Sequence, residues 1–290
     1  MKTMKNKIIV IVAFLATTLF ISSCLKDNVS IDWYGVSGKM YATFTNAGQV
    51  WTKTIVGIPD AQSYTVQLNV ATDAVLSKDY TIDIAIDSTV MTDYNASAGK
   101  SFHFFPTASI PSSVVVKAGG RTAWFTVTMT GADVLDLNTQ WMVPIKIVST
   151  SSPDLMLTSN KNTFLLAVAI MNKYEADYHA VGFRHHPVLG DIASDKVKHL
   201  STVDANTVET YPADYSPYRM DMTVNPDNTT TVISPDAVFH NYTDPTLDPV
   251  GRGIPAGPNT YDPVNKVFNV FVFYNAAAPR IITETFTRLP

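Results

Sequence analysis

Apolar and polar residues alternate along most of this chain. Val66, Leu68 and Val70 share one side of an extended backbone and Thr65, Gln67 and Asn69 the other; Tyr80, Ile82, Ile84 and Ile86 repeat the period against Thr81, Asp83, Ala85 and Asp87. Ala123, Phe125, Val127 and Met129, opposed by Trp124, Thr126 and Thr128, and then Phe164, Leu166, Val168 and Ile170, continue the series. Together with the intervening runs this predicts about seven half-buried strands. Ala118-Gly119-Gly120-Arg121 reads as a hairpin turn between two of them. Pro144 cannot donate a ladder hydrogen bond, which predicts an edge position for the strand from Trp141 to Ile147. Only Ser88 to Ala96 has a helical pattern, enough for a turn or two. Two antiparallel sheets packed face to face, an immunoglobulin-like sandwich, fit this half.

A second series begins near Lys173, with strands predicted at Tyr178 to Phe183, Val197 to Val203, Thr207 to Tyr211, Tyr218 to Val224, Thr229 to Ser234, Val267 to Tyr274 and Ile281 to Arg288. Asn225-Pro226-Asp227-Asn228 and Asp262-Pro263-Val264-Asn265 are turn clusters that favour antiparallel neighbours. Val267 to Tyr274 is apolar on both faces, as expected of a strand lying between a barrel interior and a covering segment. The stretch from Asn241 to Asn259 is a long Pro/Gly-rich loop, a kind that is often functional. A small closed or nearly closed barrel suits the meander. The reading is all-β, with a sandwich over residues 39–171 and a barrel over 172–290.

The start of the chain is of a different character. Lys2, Lys5 and Lys7 precede an apolar run from Ile8 to Ile21, followed by Ile21-Ser22-Ser23-Cys24. The run is shorter than the ~20 residues a membrane-spanning helix needs, and the pattern predicts a signal peptide over residues 1–23. Small residues before the cysteine resemble the lipobox of bacterial lipoproteins, with acylation expected at Cys24. Cys24 is the only cysteine in the chain, so no intramolecular disulfide competes for it. Residues 24–38 then form an anchor and tether. Leu25, Lys26, Asp27 and Asn28 either resemble the tags that send Bacteroidetes lipoproteins to the cell surface or are an ordinary solvated linker.

The 290 residues are 46% hydrophobic, 11% aromatic and 16% charged, with a formal charge of −4. A pI near 5.8 and a mean hydropathy of +0.08 accompany this. Such values exclude wholesale disorder, a polytopic helical membrane protein and a nucleic-acid partner attracted by a basic field. Removal of residues 1–23 takes out three lysines and no acid, leaving a more acidic body.

Asp93-Tyr94-Asn95, Phe104-Phe105-Pro106, Val114-Val115-Val116-Lys117-Ala118-Gly119 and Val143-Pro144-Ile145 occur in an order and spacing that resemble the amino-terminal immunoglobulin-like domain of Bacteroidetes surface lipoproteins. Asn172-Lys173-Tyr174, with Tyr178 and Gly182 after it, is similar to the start of the lipocalin-like barrel often fused to that domain. The resemblance spans nearly the whole chain after the signal peptide. It implies an outer-membrane protein, lipid-anchored and surface-exposed, working beside glycan-uptake proteins and holding polysaccharide.

Signatures of catalysis are missing: no Gly-x-Ser-x-Gly, no His-Glu-x-x-His, no Cys-x-x-Cys and no P-loop. No enzyme activity and no cofactor are predicted. Arg184-His185-His186-Pro187 could approach a metal only on an irregular loop, because neighbouring strand residues point to opposite faces. Asp244 and Asp248 alone do not spell a calcium site, and no metal is predicted. Saccharide binding asks for less: aromatic faces beside groups that bond hydroxyls. Tyr211, Tyr215 and Tyr218, with Asp214 and Arg219, cluster in one connection; Asn241, Tyr242, Arg252, Asn259 and Tyr261 lie in or beside the long loop. If both connections meet at one barrel end, Tyr211, Tyr215, Tyr218, Tyr242 and Arg252 form a binding rim; otherwise these tyrosines cap the core. Trp33 and Tyr34 could touch glycan or lipid, or pack on the first domain, and Trp51, Trp124 and Trp141 read as core or sheet-face residues. The competing functional reading is a structural or docking component of an outer-membrane complex without a glycan site.

Overall fold

The computed structural model describes residues 39–248 and 251–290. Cys24, Trp33 and Tyr34 therefore lie outside the described residues. The first half runs β1 (Met40–Phe44), β2 (Val50–Val56), β3 (Gln62–Ala71), β4 (Tyr80–Ile86), helix α1 (Ser88–Ala98), β5 (His103–Phe104), β6 (Ala108–Ser109), β7 (Ser113–Val116), β8 (Thr122–Met129), β9 (Trp141–Thr150), β10 (Leu155–Leu157) and β11 (Thr163–Met171). One sheet has the order β10-β1-β3-β8-β6, the other β2-β11-β9-β4-β7 with β5 alongside β9. The alternating apolar residues meet between the sheets, where Phe44 of one packs 5.7 Å from Phe164 of the other. The helix is capped by the Asp87 carboxylate accepting from the Thr89 amide at 3.0 Å, and ends on Gly99 at φ 62°.

Two expectations for this half are corrected. Ala118 to Arg121 is no hairpin: β7 pairs with β4 and β8 with β3, so the turn carries the chain from one sheet to the other. The β9 strand is central, not an edge. It tolerates Pro144 because pairing with β4 ends at Ile86↔Ile145 and pairing with β5 covers Trp141 and Met142. The proline falls in the gap, where its carbonyl accepts from the Asp87 amide at 3.0 Å and no ladder amide is required of it.

The second half comprises β12 (Ala176–His186), β13 (Gly190–Thr202), β14 (Thr207–Thr210), β15 (Met220–Val224), β16 (Thr230–Ile233), β17 (His240–Asn241), β18 (Thr260–Asp262), β19 (Val267–Tyr274) and β20 (Arg280–Arg288). The sheet order is β16-β15-β14-β13-β12-β20-β19-β17, with β18 on β19. A bridge between Thr229 and Thr260 and the bond from the Tyr261 amide to the Asn228 carbonyl, at 2.9 Å, bring its ends together into a nearly closed barrel. Tyr178, Leu200, Met222, Val270, Ile282 and Phe286 are among the side chains that fill it. Arg184, His185 and His186 are ladder residues, paired with Ile192, Asp191 and Gly190, where an irregular loop was the condition for metal binding. As its two apolar faces require, both sides of β19 are covered: Tyr242 and Ile254 from the long loop pack outside on Phe273 and Ile281.

Gly182 sets the closest approach in the barrel. A Cβ there would fall 2.1 Å from the Thr283 carbonyl oxygen and 2.6 Å from the Glu284 Cα. Asn172 braces the start of the second half: its amide group donates to the Asp204 and Thr207 carbonyls at 2.8 Å, and its carbonyl oxygen accepts from the Tyr174 and Glu175 amides at 2.9 Å.

Candidate functional site

Inward positions of β12 run Tyr178, Ala180, Gly182, Arg184, away from the first domain. Arg184 reaches the open end of the barrel and meets the connection between β14 and β15. Its Nε donates to Asp214 Oδ1 at 2.7 Å and its Nη2 to Oδ2 at 2.8 Å. The fork geometry fixes both groups. Those bonds hold the Asp214 carboxyl below the usual carboxylate range and keep Arg184 protonated. The guanidinium also lies 5.2 Å from the Tyr215 ring centre.

Aromatic rings continue from there. Tyr215 and Tyr218 are perpendicular at 4.6 Å, Tyr218 meets Tyr274 at 5.7 Å, and Tyr274 meets Phe239 at 5.9 Å. Tyr215 and Tyr218 are half-buried, so part of each ring faces solvent. Burial raises the Tyr274 hydroxyl pKa, with Arg184 working against it.

Beneath this end lies an ion pair cut off from water. Lys198 Nζ is 2.6 Å from Glu284 Oε1 and both side chains have 0% exposure. Lys198 also donates to the Tyr211 carbonyl at 2.9 Å and sits 4.4 Å from the Tyr211 ring centre. Glu284 Oε2 accepts from the Ala213 amide at 2.8 Å. Burial raises the Glu284 pKa and lowers that of Lys198, each opposed by its partner. Ala213, at φ 40°, occupies the left-handed region without being glycine. The strained residue is held at the point where the buried carboxylate grips the aromatic connection.

The expected rim is therefore divided. Tyr211, Tyr215 and Tyr218 gather at the barrel mouth. Tyr242 does not: its side chain is fully buried in the outer cluster, with the hydroxyl donating to the Ile254 carbonyl at 3.2 Å. The apolar outer face of β19 required a cover, and Tyr242 is part of that cover. Arg252 reaches the same barrel end from outside the sheet, donating to Asp191 at 2.9 Å and to the His186 carbonyl at 3.4 Å. It is tied into the rim's ion pairs and has no place among the three tyrosines. Asn259 bonds Asn241 at 2.9 Å within the loop, and Tyr261 packs at the opposite barrel end, 4.9 Å from Tyr174. His185 and His186 face opposite ways: His185 bonds Asp191 and Thr283, whereas His186 Nδ1 accepts from the Val188 and Leu189 amides. Among the described residues there is no group of three or more metal-ligating side chains. Asp244 caps Thr246, and Asp248 accepts from the Arg252 amide.

Sequence reasoning considered Arg184 only beside the His185-His186 pair, and missed Tyr274, Lys198 and Glu284. A signal was present for the last two, since each occupies the inward phase of its strand, Lys198 before Leu200 and Glu284 between Ile282 and Phe286.

Residues 37–154 match a family model described as an N-terminal domain, and residues 162–285 match one described as a C-terminal domain. Comparison with curated proteins gives no match. Among solved structures, a Bacteroides ovatus protein of unknown function from structural genomics is 13% identical, with a TM-score of 0.55 over 86% of this chain and 94% of that one. The fold is one found in Bacteroides. An auxiliary nutrient binding protein from Bacteroides thetaiotaomicron is 15% identical (TM-score 0.40, 82% and 90% covered). A candidate carbohydrate binding protein from Bacteroides ovatus is 9% identical (TM-score 0.37, 86% and 98% covered).

Proposed function

We propose that the protein is a non-catalytic, lipid-anchored outer-membrane surface protein that binds saccharide chains at the open end of its barrel. The observation that carries this reading is the perpendicular Tyr215–Tyr218 pair, part-exposed and held on a loop fixed from below by Arg184, Lys198 and Glu284. Tyrosines pre-positioned in this way lose little freedom when a sugar ring stacks on them, and their hydroxyls can bond its hydroxyls. The two carboxyl groups that hold the tyrosine connection are not arranged for catalysis, and Asp191 at the same end is engaged by His185 and Arg252. Both oxygens of Asp214 are taken by Arg184, and those of Glu284 by Lys198 and the Ala213 amide, so neither is free to pass a proton.

Affinity electrophoresis through gels containing individual polysaccharides tests the reading. Tyr215→Ala and Tyr218→Ala are each expected to weaken retention by about tenfold, roughly 1–2 kcal/mol, with little change in melting temperature. Retention unchanged in both variants refutes the placement.

A docking role is favoured by a different observation: Val181, Phe183 and Val197 are exposed on the outer face of neighbouring strands β12 and β13. Val197→Lys separates the readings, since it abolishes capture by an outer-membrane partner and leaves glycan retention intact.

A further inference from the structure

The first domain carries a second surface with the same chemistry, unconnected to the barrel mouth. Outward residues on the middle strands of its five-stranded sheet include Thr122, Trp124 and Thr126 on β8, Thr65, Gln67 and Asn69 on β3, and Tyr41 on β1; Thr43 has the same phase but is buried, its hydroxyl donating to the Asn69 carbonyl at 3.2 Å. None is charged, in a chain where 16% of residues are. The registers fix their neighbours: Trp124 stands directly opposite Gln67, and Asn69 lies between Thr122 on one side and Thr43 on the other. Three strands at about 4.8 Å spacing make a flat strip about 10 Å across. It continues into an open groove of about 700 Å³ lined by Tyr41, Thr43, Asn69, Thr72, Asn160 and Lys161.

Trp124 is the anomaly on this strip. Trp51 and Trp141 are half-buried, with their indole N–H groups donating to the Asn46 and Asp136 carbonyls at 3.2 and 2.9 Å. Trp124 is 60% exposed, and among the described residues its N–H has no such acceptor. A projecting indole within a carpet of amides and hydroxyls offers a ring face for the apolar side of a sugar and, around it, donors and acceptors for the equatorial hydroxyls. The strip around Trp124 has no charged side chain to pair with an acidic or basic ligand; Lys39 and Lys161 belong to the groove beyond it.

We infer that the outer face of the five-stranded sheet, centred on Trp124 with Gln67 and Asn69, is a second binding surface for an uncharged polysaccharide. A chain long enough to reach both this strip and the barrel mouth is held at two points, so each site raises the effective concentration of ligand at the other.

The test uses the full chain in mild detergent, run through native gels containing laminarin, mannan or xylan. Wild type is compared with Trp124→Ala, Trp124→Phe, Tyr215→Ala/Tyr218→Ala and the combined variant. Trp124→Ala is expected to lose at least tenfold in affinity for a glycan that retains the wild type, and Trp124→Phe to stay within about threefold because a stacking ring remains. The combined variant is expected to fall below either parent. An unchanged Trp124→Ala overturns the inference whatever the mouth variant does, and a loss confined to Trp124→Ala supports it while rejecting the mouth. Failure of every gel to retain the wild type overturns it, as does a shift of Trp124→Ala to a smaller species in sedimentation, which makes the strip a self-association face.

Discussion

Replacement of Lys198 by methionine tests how the barrel holds its mouth. The substitution preserves most of the volume but leaves the Glu284 carboxylate in the interior with only the Ala213 amide as partner. Removing one member of a fully buried ion pair costs about 3–5 kcal/mol, because the survivor keeps its desolvation penalty and loses its counter-charge. At about 4 °C per kcal/mol for a domain of this size, the barrel's Tm falls by roughly 12–20 °C.

The effect has a predictable pH dependence. Burial already lifts the Glu284 pKa above its ordinary value of 4.5, and the Lys198 charge works against that rise. In Lys198→Met the folded-state pKa climbs further while the unfolded value stays put. The folded state then binds the proton more tightly, so this group's stabilising contribution is complete below pH 4.5 and is lost as pH rises through the folded pKa. The variant's deficit should be largest near pH 8 and shrink toward pH 4.5. Lys198→Met/Glu284→Leu removes both charges and recovers much of the loss, short of the ~2 kcal/mol left by the Ala213 amide and the Tyr211 carbonyl, which lose these partners. Thermal unfolding followed by circular dichroism at about pH 4.5, 6 and 8 reads all of this. A single-variant deficit below about 1 kcal/mol, or one that is equal at the two pH extremes, refutes the argument.

Two further outcomes are expected. Gly182→Ala places a methyl group against the backbone of β20, which has no rotamer to yield, and destabilises the barrel by about 3 kcal/mol or prevents its folding; chemical denaturation of the purified variant measures it, and a change within ±0.5 kcal/mol rejects the close-approach account. Cys24→Ala is expected to abolish acylation and release the protein from membranes, because in the proposed anchor the acyl chains on Cys24 supply the membrane affinity; a variant that still sediments with outer membrane after a salt wash argues against the anchor.

Alternation made the strands legible, because a residue pair repeated four or five times leaves little doubt about which side faces a core. Tyr80 to Ile86 was therefore readable to the residue, and Val267 to Tyr274 was readable as a run apolar on both faces. Partnership was not. Whether the β7 strand turns back on β8 or crosses to β4 depends on which sheet has a vacant edge, and Ala118-Gly119-Gly120-Arg121 permits either. Pro144 misled for a related reason: the rule against proline in a central strand concerns one missing hydrogen bond, and here the neighbouring strands change over at that very residue.

The candidate site was half legible for a physical reason. Tyrosines in a Pro-containing connection signal a rim, yet a ring of that size serves equally well as a cover for apolar surface, and local sequence does not separate the two. What separates Tyr215 from Tyr242 is the face of the sheet each connection returns to. The loop from Asn241 to Asn259 returns over the outer side of β19, where Phe271 and Phe273 need cover, and Tyr242 is consumed by that demand. The connection from Tyr211 to Tyr218 returns over the barrel's open end, where the demand is met by Arg184, Lys198 and Glu284 from below, and two rings keep a face in solvent. Charges at inward strand positions were thus the better guide to the site than the aromatic residues themselves: a buried carboxylate or ammonium is tolerated only where it meets a partner, and here its partners are the backbone of the loop that carries the rings.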